Sequence, residues 1–293
     1  MFRNREEIPY LLMEVYQLAY HIKNTYTAPV KKANFQLLVL PNIYSGQIVE
    51  ELKIECSLDQ EAHFSKNSFG FDLIQYYSKQ SISEFWFKLS AIVKKEKNNP
   101  FPVSTLTPIR EFELLNSLEF KIEHHRFLLS TELTKMPDHV PISFPKYSGE
   151  KMLLEYLLEL NMFIFELLEY SPNSTDVNTA IEQVLYLKKG VCQDYAHLFL
   201  TVCRQNKIPA RYVSGYLDQG EEYIGTSQLH AWVEVFIPEA GWVGFDATNH
   251  LLADHHYIKI AHGCDFRDCS PIIGILETVG VQKSIHAVTI TNQ

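Results

Sequence analysis

The chain has 293 residues, 46% hydrophobic and 21% charged, a globular composition long enough for two domains with sizeable cores. A formal net charge of −9 argues against a nucleic-acid or anionic-membrane partner, and no apolar run reaches bilayer-spanning length. Five cysteines without a Cys-x-x-Cys pair suggest neither a disulfide framework nor a zinc site, and Met1–Pro9 lacks a signal peptide's apolar core; free thiols in a reducing cytoplasm are expected.

Val15–Asn24, Asn34–Leu40, Gln47–Cys56, Phe71–Ser78 and Phe85–Lys94 read as strands, separated by turn-rich segments such as Pro41–Gly46. They predict an antiparallel sandwich or barrel over residues 1–100, which Asn98–Pro102 closes. Residues 101–149 form a connecting segment, ambiguous to Leu129 and linker-like from Met136 to Gly149. His124 and His125 are adjacent and diverge on any regular element, so a ligand role is not expected. Glu150–Tyr170 is a long apolar helix, expected to pack on the later helix that carries Cys192 and to open a second unit, residues 150–293.

Thr179–Glu182 has the spacing of a capping box for a short helix that Gly190 would close. The next helix carries an apolar stripe at Tyr195, Leu198, Phe199, Val202 and Cys203, with Cys192 in its first turn. Aligned peptide dipoles favour an anion there, here a thiolate. After Lys207-Ile208-Pro209 comes a strand, Arg211–Leu217. His230–Ile237 and Trp242–Asp246 then read as a hairpin around Pro238–Gly241, which sets His230 beside Asp246. A thiol facing a His–Asp pair has the makings of a nucleophile: the imidazole takes its proton and the carboxylate orients the imidazole.

Around these three, the backbone N–H of Cys192 is the firm oxyanion donor, and Gln193 is a candidate for the second. Asp194 suits a helix start and should point away from Cys192, since an acid beside the sulfur disfavours the thiolate. It and Trp232 are the remaining candidates for supporting contacts. His197 lies about 500° around the helix from Cys192, off its face. Asp254-His255-His256 lacks the spacing of a zinc site, and no metal is expected. Cys203 is roughly 16 Å along the helix, too far for a disulfide with Cys192. Ser284–Thr291 reads as the final strand.

Gly190–His197, Ile208–Tyr216, His230–Val235 and Gly241–Asn249, in that order, resemble the bacterial transglutaminase-like superfamily. The resemblance covers roughly residues 150–275 and implies a papain-like core. It makes Cys192 the nucleophile, His230 the base and then the acid, and Asp246 the orienting carboxylate. Tyr26–Val30, Leu38–Pro41, Gly46-Gln47 and Phe69-Gly70 resemble the domain that often precedes that core. Departures are Phe71 for the usual asparagine, Ala247 for proline and Cys264 for arginine. The expected fold is therefore α+β: an N-terminal β-sandwich-like domain, then a core with its catalytic helix on an antiparallel sheet. The implied chemistry is acyl transfer from amides of a peptide or protein, without cofactor, nucleic acid or membrane. Hydrolysis is favoured over transfer to an amine, because no Asp-x-Asp-x-Asp-Gly calcium loop is present. A binding module that keeps the fold without turnover is the alternative of another class.

Overall fold

The computed structural model describes residues 13–43, 46–139, 142–218, 220, 223–225 and 228–292. Met1–Pro9 and parts of the turns at Pro41–Gly46 and Met136–Gly149 lie outside the described residues. Strict alternation organises the first half. Along β1 (Met13–Val30), Tyr16, Leu18, Tyr20 and Ile22 are buried, with Gln17 and Ala19 between them exposed. The chain continues through β2 (Lys32–Leu37), β3 (Gln47–Cys56), β4 (His63–Lys66), β5 (Asp72–Ser78) and β6 (Ile82–Glu96). Short helices α1 (Pro108–Asn116), α2 (Leu118–Glu123) and α3 (His125–Leu128) resolve the ambiguous stretch. Then come α4 (Leu153–Leu167), β7 (Glu169–Tyr170), α5 (Ile181–Leu187), β8 (Lys189–Gly190) and α6 (Cys192–Gln205). The last elements are β9 (Ala210–Leu217), β10 (His230–Ile237), β11 (Gly241–Asp246), β12 (Leu251–Leu252), β13 (Tyr257–Gly263), β14 (Ile272–Glu277) and β15 (Gln282–Asn292).

The fold is α+β. Two antiparallel sheets, ordered β15-β1-β6-β3 and β14-β2-β5-β4, face each other as a sandwich. Phe35 of one stacks on Phe85 of the other, with ring centroids 3.8 Å apart. The chain's end returns here: β14 pairs with β2 and β15 with β1. Sequence order had grouped those strands with residues 150–293, because non-local pairing leaves no local signal.

The second half is a sheet ordered β12-β11-β10-β9-β13 with α6 packed on β10 and β9, and α4 and α5 behind it. Alternation again separates the faces: Ala231, Val233 and Val235 join the core that contains α6, while Trp232 packs on the other face with Val213, Leu217 and Tyr257. The stripe on α6 had suggested one solvated side, yet every residue from Gln193 to Arg204 is buried. Several of its polar groups are met internally. Arg204 donates to Thr134 Oγ1 (2.5 Å) and to the carbonyls of Ala210 (3.3 Å) and Cys264 (2.6 Å), and Thr201 donates to the His197 carbonyl (2.7 Å). Among the described residues, no helix is long and apolar enough to cross a membrane.

Gln47 ties the halves together. Its amide nitrogen donates to the carbonyls of Asn42 (2.6 Å) and Lys259 (2.9 Å), and its oxygen accepts the Lys259 N–H (2.6 Å). Nearby, the Tyr216 hydroxyl donates to the Val39 carbonyl at 2.7 Å.

Candidate active site

The start of α6 places Cys192. The helix begins at this residue, with extended Val191 as the residue before it. Val191 has no side chain that can cap, so Asp194 reaches back from the third helical position and accepts the Val191 N–H at 2.7 Å and the Thr175 hydroxyl at 2.6 Å. This carboxylate leaves no room at residue 190: a Cβ there would lie 2.6 Å from Asp194 Cβ and 2.7 Å from its Oδ2. Glycine is thus required by Asp194, and not as the cap of the preceding helix. That helix, α5, starts one residue later than the capping-box spacing indicated and stops at Lys188, which is left-handed at φ 52°. Thr179 is diverted: its hydroxyl accepts the Asp176 N–H at 2.8 Å.

Asp194 is directed to Val191 and Thr175. Burial raises its pKa, against the lowering effect of those two hydrogen bonds. Gln193 takes a different place from that of an oxyanion side chain: its amide nitrogen donates to the Val177 carbonyl at 3.2 Å. The first-turn N–H groups of Asp194 and Tyr195 both go to the Val191 carbonyl.

His230 opens β10 and is fully buried. It lies opposite Gly215 of β9, and its Nε2 is 2.7 Å from Asp246 Oδ2, at the end of the neighbouring strand β11. Nδ1 is buried with no hydrogen-bond partner among the described residues, and Cys192 is partly exposed. Burial opposes a charge on the imidazole. The Asp246 charge and hydrogen bond, and then the Cys192 sulfur, outweigh it and lift the His230 pKa to about 10. Burial also works against ionised Asp246, but His230, Asn249 and Tyr257 hold its carboxyl below the usual range.

Two of those supports were missed in the sequence. The Tyr257 hydroxyl donates to Asp246 Oδ2 at 2.9 Å, from the first residue of β13. Asn249 Nδ2 donates to the same oxygen at 2.8 Å and to the Ile224 carbonyl at 3.0 Å, tying the acid to the loop before β10. In that loop Gly225, at φ 103°, packs directly against His230 Nδ1. Asn249 could have been found, because it ends the Asp246-Ala-Thr-Asn run; Tyr257 and Gly225 are too far from the motifs to carry a signal.

Trp232 is a wedge. It lies over His230 (ring centroids 6.4 Å, 26° between planes) and meets Tyr257 edge-on at 5.3 Å. His197 is structural. Its Nε2 accepts the Phe266 N–H at 3.2 Å, and burial drives its pKa down to about 3, where it stays neutral. His124 packs between Phe120 and Phe236. All five cysteines are free.

Residues 143–247, which include Cys192, His230 and Asp246, match the model of the transglutaminase-like superfamily. An uncharacterized protein of Mycobacterium tuberculosis is 36% identical over 143 residues, 46% of this chain and 46% of its own, so the match spans about half the length of that relative. The protein-glutamine gamma-glutamyltransferase of Pseudomonas aeruginosa is 35% identical over 83 residues, 26% of this chain and 12% of its own. The crystal structure of a candidate cysteine protease from Cytophaga hutchinsonii superposes with a TM-score of 0.77 at 20% identity. It covers 96% of this chain and 91% of that one, so the likeness in fold extends through both halves.

Proposed function

We propose that the protein is a thiol-dependent acyl transferase acting on amide bonds, with Cys192, His230 and Asp246 as its triad, a reading supported by the match of residues 143–247 to the transglutaminase-like superfamily. The observation that carries this reading is the placement of His230, with one ring nitrogen on Asp246 and the other left for a sulfur at a helix start. Cys192 attacks the amide carbonyl, and the tetrahedral oxyanion is met by the backbone N–H groups of Cys192 and Gln193. His230 protonates the departing amine, leaving a thioester. Water activated by His230 then releases the acid and regenerates the thiol. Asp246 remains ionised throughout and keeps the ring oriented.

Hydrolysis of a peptide or protein amide is the first reading. Transfer to an amine is the second, favoured by the likeness to the Pseudomonas aeruginosa gamma-glutamyltransferase. Both use the same thioester, so the resolving nucleophile separates them. The five free thiols suit a reducing compartment, and we place the protein in the cytoplasm.

Iodoacetamide alkylation of each cysteine across pH, read by peptide mass spectrometry, tests the pair. Cys192 should react fastest below pH 7 and slow in His230→Ala. Equal reactivity of all exposed thiols would instead favour a binding module. A glutamine-peptide screen with and without a primary amine then assigns the acceptor.

A further inference from the structure

The turn between β12 and β13 draws three donor groups to one point. The carboxylate of Asp254 and one ring nitrogen each of His255 and His256 lie within 4.8 Å of one another. Asp254 Oδ1 accepts the His256 N–H at 2.9 Å, a tight local turn that swings the two rings to the same side, with centroids 4.2 Å apart. His256 Nδ1 is 2.9 Å from Asp254 Oδ1 and His255 Nδ1 is 3.8 Å from Oδ2. The latter gap is too long for a hydrogen bond, and His255 Nδ1 is a buried atom with no partner among the described residues.

A second segment meets the turn. Asp218, just past the end of β9, donates its N–H to the His256 carbonyl at 3.1 Å. The neighbouring Glu14 is already paired with Lys97.

We propose that Asp254, His255 and His256 bind one divalent transition metal of the zinc class, with solvent completing its shell. Two imidazoles and a carboxylate suit zinc, nickel or copper better than calcium or magnesium, which prefer all-oxygen shells. Ligands at about 2.1 Å in a tetrahedron lie roughly 3.4 Å apart, so the 3.8 Å gap closes by a few tenths of an ångström. His256 Nδ1 gives up its proton to the solvent side of the ring on coordination.

The site has a structural consequence. Tyr257, the prop of Asp246, follows His256 directly, and Asp218 begins the loop that carries Gly225 against His230. A metal would pin both segments together whatever reaction the thiol performs.

The test uses the full chain as Cys192→Ala, so that the thiol cannot supply its own metal site, titrated with Co2+ and Zn2+. One equivalent should bind at micromolar or tighter affinity, with a cobalt spectrum lacking the sulfur charge-transfer band, and Zn2+ should raise the melting temperature. His255→Ala and His256→Ala, both at partly exposed positions, should each weaken binding at least about tenfold while melting cooperatively without metal. Absence of stoichiometric binding in Cys192→Ala, or binding unchanged in both histidine variants, would overturn the proposal.

Discussion

His230 holds its charge only because of what touches it. Its pKa rises from 6.5 to about 10, so its contribution to stability is complete below pH 6.5 and is lost as pH climbs through about 10. Asp246 is lowered from 3.8, so its share exists above that value and disappears as pH falls through the folded-state pKa. The pair therefore stabilises the fold most from mildly acidic to neutral pH. Asp246→Asn should melt below wild type by the widest margin at pH 5–6.5, and the gap should close toward pH 10. A margin independent of pH would contradict the ion pair. In turnover, loss of the orienting carboxylate should reduce kcat on the order of 10³–10⁴-fold with KM little changed. Gly225 supplies a second prediction at this scale. A side chain there must adopt φ 103° and meet Nδ1 of His230, a strain of about 1–3 kcal/mol at the reacting face. Gly225→Ala should keep its far-ultraviolet spectrum and lose the enhanced alkylation of Cys192 by about tenfold.

At the scale of elements, the start of α6 is built by Asp194, which stands in for the side-chain cap that Val191 lacks. Asp194→Ala strands the Val191 N–H and the Thr175 hydroxyl and should cost about 1–3 kcal/mol in urea denaturation, whereas Asp194→Asn, which keeps an acceptor, should recover much of it. Equal losses in the two variants would mean that the negative charge, and not the acceptor, is what counts. The β10–β11 hairpin was legible because alternation, a short turn and the end positions of His230 and Asp246 are all local facts. The helix start at Cys192 was legible for the same reason. What escaped was decided by competition or distance. Thr179 serves Asp176 instead of a cap, four-residue β4 is too short to alternate visibly, and the second side of α6 is buried by elements remote in sequence. Tyr257 reaches Asp246 across the sheet, which no motif spacing encodes.

The whole molecule is joined through β13, the strand that holds Tyr257 at one end and Lys259 two residues on. Lys259 and Arg211 both pair with Glu234 on the sheet face opposite α6, at 2.5 and 2.6 Å, while the Lys259 backbone is gripped by Gln47 from the N-terminal half. The two halves thus share a strand that also supports the candidate triad, and β14 and β15 lead from it back into the sandwich. Gln47→Ala leaves a buried N–H of Lys259 unpaired and removes one of two donors to its carbonyl, the other being the Asn42 N–H at 2.8 Å. The expected loss is about 1–3 kcal/mol of stability. Because Tyr257 is only two residues away, hydrogen exchange across β13 should rise with it, and the pH profile of Cys192 alkylation should shift even though Gln47 touches no triad residue. A variant that melts earlier with β13 exchange and the alkylation profile unchanged would show that the sandwich stabilises the molecule without steadying the site. That outcome would leave the N-terminal half to recognition, where a substrate or partner protein would be sought.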